Sequence, residues 1–410
     1  MEQTEHLVSV AEAIDRAVRL QRVGHLDAAE ALYQRVLEAD PGNPDALHFL
    51  GVLSHQRGRS TEAADLIRQA LERVPDYPDA LSNLGNVLRS QGALAEAEAC
   101  YRRAIAIRPD HAPALLMLGA VLDAQGRSGE AADHYVRAVD GGSCEPDLLR
   151  LVAATLRAEG RLDEAAALYR RWLSVRPNDP YALHLLAACT GREVPERAHD
   201  SYVENLFDCF AETFDEKLAQ LEYRAPALAA AAVARVVGPP RADLVVLDAG
   251  CGTGLCGQYL RPRARELVGV DLSAQMLAHA EARGLYDRLV RHELTAYLEG
   301  CTESLDLIVS ADTLVYFGSL DAVLTAAARA LRPGGHLVFT VERTDPDAAP
   351  PGYRLNVSGR YSHSPSYVET AVRAAGLTPL SVDEVVLRKE GGDDVAGLLV
   401  VAQRQSSSAA

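Results

Sequence analysis

Between Val245 and Cys256 the chain reads Val-Val-Leu-Asp-Ala-Gly-Cys-Gly-Thr-Gly-Leu-Cys, an apolar run of strand type that meets Asp248 and then glycines at 250, 252 and 254. Glycine tolerates positive φ and has no Cβ, so it suits a strand that turns sharply into a helix while passing close to a ligand. The spacing tells ligands apart. A dinucleotide turn runs G-x-G-x-x-G and presents a helix N-terminus to a pyrophosphate. Here the glycines stand at every second position behind an acid, which offers a carboxylate to a cation. Asp248, Gly250, Cys251, Gly252, Thr253 and Gly254 are the residues of this turn expected to bind the ligand. A second run, Glu266-Leu-Val-Gly-Val-Asp-Leu-Ser273, ends in Asp271, seventeen positions after Gly254. In a doubly wound fold its strand lies beside the first, and an acid at its tip can accept hydrogen bonds from both hydroxyls of a ribose. The competing use of this position is to cap the next helix, by Asp271 or by Ser273.

These two runs resemble the class I methyltransferases that use S-adenosylmethionine (AdoMet), and the likeness extends over roughly Asp243 to Gln403. It implies a Rossmann-like α/β domain, AdoMet as cofactor and methyl transfer as the reaction, with the glycine turn wrapped around the methionine part of the cofactor. It further implies Leu272 and Met276 as apolar contacts to the adenine, and Glu293 and Leu294 near its amino group. Members of the family often carry Asp where Glu293 stands.

A parallel sheet with crossover helices must position these groups. Residues 304–312 read as the fourth strand, 319–331 as a helix, and 335–342 as the fifth strand after an Arg-Pro-Gly-Gly turn. Residues 364–376 read as another helix, and 377–388 and 395–404 as two closing strands, which in the resembled family form an antiparallel hairpin. Ligands of open α/β sheets sit beyond the carboxyl ends of the strands, and Asp248, Asp271 and Asp312 fall at such ends.

Methyl transfer from a sulfonium is an in-line displacement with a neutral leaving group. The protein's tasks are to hold the nucleophile at near-attack distance and to exclude water. A general base is needed only where the acceptor must first lose a proton. Asp312, Tyr316 and Phe317 after the fourth strand, and His363 before Ser364-Pro365, are the candidates to face the methyl group, with Asp312, Tyr316 and His363 taken as catalytic. The competing uses are an N-cap at Asp312 for a short helix over 313–317, and a loop position for His363 at a helix start. Tyr353, Arg354 and Tyr361 lie in the long connection where selectivity for the acceptor is expected.

Ahead of the first strand, residues 202–215 place Phe207, Phe210 and Phe214 at helical spacing, three of the six phenylalanines in the chain. Packing of this helix against the sheet is the expected use, and a lid over the cofactor the alternative. The stretch through Leu221–Pro226 is similar to that of bacterial predicted methyltransferases linked to tetratricopeptide (TPR) repeats, which places Tyr223 and Arg224 near the methionine carboxylate.

The first half of the chain is periodic. Gly24, Gly58, Gly92, Gly126 and Gly160 stand 34 residues apart, as do Ala29, Ala63, Ala97, Ala131 and Ala165, with Pro41, Pro75, Pro109 and Pro177 in a series that Ser143 interrupts. That period with these residue types is the TPR signature. Each unit is two antiparallel helices joined at a glycine in the left-handed conformation. Alanines sit where the helices cross closely, and Tyr33, Ile67, Tyr101, Tyr135 and Tyr169 are expected to fill the space between neighbouring pairs. A solenoid exposes a concave face, here expected to include His48, His55, Ser82, Asn86, Arg89, Asp123, Arg150 and Arg157. Asn83 and Asn86 resemble asparagines with which some TPR arrays grip a peptide. A protein or peptide partner in this groove is one reading, and a solubilising spacer or dimerisation surface the other.

The expected organisation is a multidomain chain: an all-α TPR solenoid over 10–189 (five units and a capping helix), a linker over 190–200, a helical lead-in or lid over 201–242, and the α/β methyltransferase core over 243–404. The net charge of −16 and pI near 5.2 argue against partners such as nucleic acid or an anionic membrane. Only Lys217 and Lys389 are lysines among 41 basic residues, and alanine is abundant, a coding bias expected of a GC-rich bacterium. The seven cysteines form no C-x-x-C pair, so no metal is expected and a reducing cytoplasm fits. The start, Met-Glu-Gln-Thr-Glu-His, does not read as a signal peptide. The apolar stretch at 226–240 contains Arg235 and is too short to span a bilayer. Against the enzyme reading stand an adaptor, whose α/β half only senses the cofactor or uses it structurally, and an NAD-dependent oxidoreductase, which the glycine spacing disfavours.

Overall fold

The computed structural model describes residues 9–140, 145–344 and 352–405. Ser143, Cys144 and the N-terminal hexapeptide lie outside them. The chain divides into two compact units, residues 1–168 and 169–410.

Helix pairs build the first unit: α1 (Val10–Arg22) with α2 (Leu26–Ala39), α3 (Pro44–Gln56) with α4 (Ser60–Arg73), α5 (Pro78–Ser90) with α6 (Leu94–Ile107), and α7 (Ala112–Ala124) with α8 (Ser128–Asp140). Next come α9 (Pro146–Ala158) and α10 (Leu162–Val175). Between the helices of successive pairs, Gly24, Gly58, Gly92, Gly126 and Gly160 take φ from 73° to 85°, the conformation in which a Cβ is penalised. Ala29, Ala63, Ala97 and Ala131 are fully buried. The repeating residue packs inside its own pair as well as towards the next one, where Tyr33 of α2 meets Phe49, Leu50 and Leu53 of α3. A Cβ on Gly85 or on Gly119 would lie 2.5 Å from the ring of Tyr101 or Tyr135 respectively, so each helical glycine makes room for its partner's ring. The groove expectation changes too. Asn83 Nδ2 lies 2.8 Å from His48 Nε2, Asn86 accepts from Tyr101 Oη at 2.8 Å, and Asp123 accepts from Tyr135 Oη at 3.0 Å. His48 and Ser82 are buried. These side chains tie the pairs together.

The second unit begins within α10. Aromatic rings run from Trp172 to Tyr181 (5.6 Å between centroids) and on to Tyr202 (5.7 Å), joining the end of α10 to α11 (Pro180–Thr190) and to α12 (Asp200–Asp208). The stretch expected as a linker is docked. Gly318 N and Ser319 N donate to Glu196 O at 2.7 and 2.8 Å, Ala198 N donates to Tyr316 O at 2.8 Å, and Tyr361 Oη donates to Pro195 O at 2.7 Å. Backbone groups that a free tether would leave to water are here satisfied by the α/β core.

After α13 (Phe214–Gln220) and α14 (Ala225–Val237) comes one sheet. Its strands are β1 (Leu244–Ala249), β2 (Ala264–Asp271), β3 (Arg288–Arg291), β4 (Leu305–Ser310), β5 (Leu331–Arg343), β6 (Tyr353–Leu355), β7 (Tyr361–His363), β8 (Leu377–Glu390) and β9 (Asp393–Arg404). The order is β3-β2-β1-β4-β5-β7-β6, with β9 antiparallel to β5 and β8 antiparallel to β9. Crossovers run through α15 (Gly257–Leu260), α16 (Ala274–Ala282), α17 (Leu294–Glu299) and α18 (Asp321–Ala330), and α19 (Pro365–Ala374) precedes β8. Val246, Leu307, Val309, Val338, Leu399 and Val401 pack with Ala229, Ala232 and Val233 of α14 in one core, near-continuous apolar strands of the kind a covered parallel sheet requires. Because β1, β2, β4 and β5 are parallel, their carboxyl tips share one edge. The β6–β7 hairpin was not anticipated from sequence. It pairs with Glu342 and Arg343 of β5, past Phe339 where pairing with β4 stops.

Candidate active site

Beyond that edge lies a cavity of about 480 Å³, within the range of roughly 300–1,000 Å³ usual for small-molecule sites. Gly250, Cys251, Gly252, Thr253, Asp271, Leu272, Glu293, Leu294, Asp312 and Tyr316 all line it. Asp248, Gly254, Met276 and His363 do not, and each has a structural occupation instead.

Asp248 is 1% exposed and accepts from Tyr286 Oη at 2.6 Å. The third glycine explains why. A Cβ on Gly254, Gly257 or Gly269 would come within 3.0 Å of the Tyr286 side chain, so these glycines form the slot that brings its hydroxyl to Asp248. The expectation of a carboxylate offered to the cation at Asp248 is thereby corrected: the sheet buries it against a phenol. Burial pushes its pKa up to about 7, against the lowering effect of the Tyr286 hydrogen bond. A pKa raised above the unfolded value, near 3.9, means that folding favours the protonated carboxyl. Stability from this group is therefore greatest below about pH 4 and is lost as pH rises through about 7. Asp248→Asn, which can still accept from Tyr286, should be more stable than the parent at pH 8 and show a flatter pH dependence between pH 4 and 7. Parallel melting curves that stay superimposable across that range would refute the account.

At the tip of β2, Asp271 Oδ2 accepts from Gly252 N and Oδ1 from Ser273 N, both at 2.9 Å. Burial raises its pKa while these backbone donors lower it, with burial dominant. The helix-capping task falls to Ser273, whose Oγ accepts from Met276 N at 3.0 Å. Asp271 is left at the cavity wall with two lone pairs already oriented. Met276 is fully buried. Gly252, at φ 54°, has no atom within 4 Å of the place a Cβ would occupy. Glu293 is N-cap of α17, accepting from Thr295 N at 3.0 Å and Ala296 N at 2.8 Å, with Arg197 Nη1 3.4 Å away.

The three phenylalanines ahead of the sheet line the cavity, but the single helix expected for them is broken: Phe207 lies in α12, Phe210 in the turn after it and Phe214 at the start of α13, and this bent segment is a wall of the site and not only core packing. Phe207 meets Phe214 edge-on at 5.8 Å and Tyr316 at 5.6 Å. This wall is fastened to the glycine turn: Thr253 Oγ1 donates to Asp215 at 2.6 Å, Arg283 pairs with the same carboxylate, and Ser273 Oγ donates to Asp208 at 2.5 Å. Tyr223 lines the cavity and Arg224 does not.

At the opposite end Asp312 takes φ 55°, strained for a residue with a side chain. It caps no helix, since the 3-10 turn Leu314–Tyr316 follows Thr313 without a side-chain cap. Its carboxylate accepts from Thr340 Oγ1 at 2.8 Å and from Arg388 Nη1 at 2.7 Å. Arg388 also reaches Glu342, and Glu390 at 2.8 Å; Arg360 reaches Glu342 at 2.6 Å and Glu390 at 2.7 Å. Sequence reasoning missed this five-residue network because, apart from the near neighbours Arg388 and Glu390, its contacts span 18 to 76 positions along the chain and form only when β5, β7 and β8 assemble. A charge at Arg388 behind the apolar run Val385-Val-Leu387 was the available signal. His363 is fully buried with Nε2 3.0 Å from Gly318 O, and burial holds its pKa down near 4. A neutral imidazole away from the cavity is not placed for catalysis, which corrects that candidate. Tyr361 is fully buried as well. The neighbouring Arg360 is the one of that pair at the cavity. The turn that presents it is held by α11, through His184 Nε2 at 2.8 Å from Gly359 O.

An open α/β sheet with an acid-tipped second strand and a glycine turn at one cavity is the arrangement of a Rossmann-like domain. Comparison with known proteins makes this specific: residues 246–335 match the family described as a methyltransferase domain, and residues 14–78, 76–141 and 146–189 match tetratricopeptide repeat families. The chain therefore carries a methyltransferase domain behind TPR repeats. It is 39% identical over 108 residues to a malonyl-(acyl-carrier protein) O-methyltransferase of Pectobacterium atrosepticum, covering 25% of this chain and 40% of the relative. It is 38% identical over 126 residues to methyltransferase-like protein 27 of Homo sapiens (30% and 45%). Against a ubiquinone biosynthesis O-methyltransferase of Ralstonia nicotianae the identity is 28% over 158 residues (34% and 65%). The chain thus spans under half the length of the first two relatives.

Proposed function

We propose that this protein transfers the methyl group of AdoMet to an acceptor bound in the same cavity, in line with the cofactor's sulfonium. AdoMet supplies an activated methyl carbon with a neutral thioether as leaving group. The chain's residues fit it. Gly250, Cys251, Gly252 and Thr253 give a side-chain-poor cradle for the methionine part, Asp271 takes the ribose hydroxyls, and Leu272 and Leu294 flank the adenine, with Glu293 at its edge. Asp312 and Tyr316 stand at the reacting end. Phe207, Phe210, Phe214 and Tyr316 exclude water from it, which strengthens every electrostatic interaction inside.

The observation that carries this reading is Asp271, a half-buried carboxylate at the cavity wall whose oxygens are held by Gly252 N and Ser273 N, facing a turn with no side chain in the way. Titration calorimetry should show AdoMet binding to the full chain and none by NADH. Asp271→Ala should weaken AdoMet by about 1–3 kcal/mol, the value of charge-assisted hydrogen bonds. A parent protein that does not bind AdoMet overturns the function, and a variant of unchanged affinity overturns the ribose role.

The repeat unit is read as a recognition arm for a protein or peptide partner, on the ground that stacked helix pairs expose an extended face and hold no clustered catalytic groups of their own. Among the described residues no group of three or more His, Cys, Asp or Glu side chains is placed to hold a metal, and no helix is long and apolar enough to cross a membrane.

A further inference from the structure

The cavity extends past the residues assigned to the cofactor, and the polar groups in that remainder differ by sign in what they have left to offer. Each carboxylate at the wall is engaged: Asp271 by two backbone N–H groups, Glu293 by α17 and Arg197, Asp312 by Thr340 and Arg388, and Glu390 by both arginines. Arg388 is engaged at all three nitrogens. Arg360 is not. Its Nε reaches Glu342 and its Nη2 reaches Glu390, while Nη1 makes no hydrogen bond to any described residue. Lys217 contacts only the ring of Phe210, with Nζ 4.1 Å from the centroid, among the described residues. The charged groups left uncommitted at this end are therefore both cationic, beside the neutral hydroxyls of Tyr223 and Tyr316, and they are set in walls of Phe207, Phe210, Phe214 and Leu218.

The same end offers no base. Asp312 and Glu390 are ion-paired, burial pushes Tyr316 up to about 12, and His363 lies outside the cavity. A hydroxyl or ammonium acceptor would need a base to take its proton. A carboxylic acid, with an ordinary pKa of about 4, is already ionised at neutral pH.

We infer that the acceptor is a carboxylate on an apolar chain or ring, anchored by Arg360 Nη1, and that the product is its methyl ester. The inference rests on the methyltransferase reading above. In the step, a lone pair of one carboxylate oxygen forms the O–CH₃ bond as the S–CH₃ bond breaks. That electron pair stays on sulfur as S-adenosylhomocysteine, the negative charge of the acceptor and the positive charge of the sulfonium disappear together, and no proton moves. The neutral ester no longer brings a charge of its own to the hydrogen bond with Arg360, so that bond weakens and release is favoured.

The test uses the full chain saturated with S-adenosylhomocysteine, titrated at pH 7.5 with octanoate and phenylacetate and with their amides, which match them in shape but carry no charge. One acid of the two should bind at least about tenfold tighter than its amide, the factor a single charge-assisted hydrogen bond provides. Arg360→Gln should abolish that preference while S-adenosylhomocysteine binds as before, which shows the variant to be folded. Equal affinity for acid and amide, binding of neither, or a preference that survives Arg360→Gln overturns the inference. A second measurement keeps it exposed without that variant: protein incubated with methyl-labelled AdoMet and cell extract should yield label that mild alkali releases as methanol. Label stable to alkali overturns the inference, whereas absence of S-adenosylhomocysteine binding would instead strike the methyltransferase reading beneath it.

Discussion

Gly250→Ala should abolish measurable AdoMet binding, weakening it by at least about 100-fold, roughly 2.7 kcal/mol. Two penalties add at this one position. Gly250 sits at φ 75°, where a non-glycine residue costs about 1–2 kcal/mol. Its missing Cβ would also lie 2.0 Å from Thr313 Oγ1 and 2.4 Å from Thr313 Cγ2, so either the turn or the tip of β4 must move. Both flank the cavity. Thr313 Oγ1 donates to Gly250 O at 3.2 Å, and that bond is lost whichever element gives way. The double variant Gly250→Ala/Thr313→Gly separates the two penalties: it removes the clash and keeps the dihedral cost, so it should recover part of the affinity. Near-parental affinity of Gly250→Ala in a calorimetric titration would refute the close packing of these two strand tips.

Arg388→Met should destabilise the second unit by about 3–5 kcal/mol, the usual outcome when one partner of a buried ion pair is removed. Arg388 and Glu342 have side chains 6% and 8% exposed, and Asp312 14%. Methionine fills the volume but leaves these carboxylates with their mutual repulsion. For a domain of this size the melting temperature should fall by roughly 10 °C. Arg388 lowers the pKa of Asp312 against the burial that raises it. Without the arginine the folded-state pKa rises further above the unfolded one, so protonation relieves the variant as pH falls. Its deficit should be smaller at pH 5 than at pH 8. Urea unfolding that shows a loss under about 1 kcal/mol at pH 8, or a deficit that grows with acidity, would contradict the assignment.

Local periodicity and turn chemistry carried most of the fold into view. The 34-residue glycine series gave the helix pairs because a left-handed turn residue must recur where each pair reverses, and the acid-tipped strands gave the parallel order because their apolar runs are buried on both faces. Sequence spacing said less about what each side chain faces. Asp248 and Asp271 look alike as strand-terminal acids, and only the packing of Tyr286 into a slot of three glycines separates a buried structural carboxyl from one at the cavity wall. His363 and Asp312 both read as candidates to face the methyl group, and Asn83 and Asn86 as similar to peptide-gripping asparagines, until their partners were placed. The charged end of the cavity was illegible for a stronger reason. Arg360, Arg388, Glu342 and Glu390 belong to no motif, and their relation is set by strand register across β5, β7 and β8.

The docking of Glu196 and Ala198 onto Tyr316, Gly318 and Ser319, in the connection between β4 and α18, together with the hold of His184 on Gly359, bears on where this polypeptide can be cut. A protease or a cloning boundary placed at residue 200 would strip the catalytic body of one of its own walls and loosen the turn that carries Arg360. Grafting a foreign repeat array in place of the native one should therefore retain everything from Tyr169 onward, so that the last helix and a half travel with the enzyme as its N-terminal buttress.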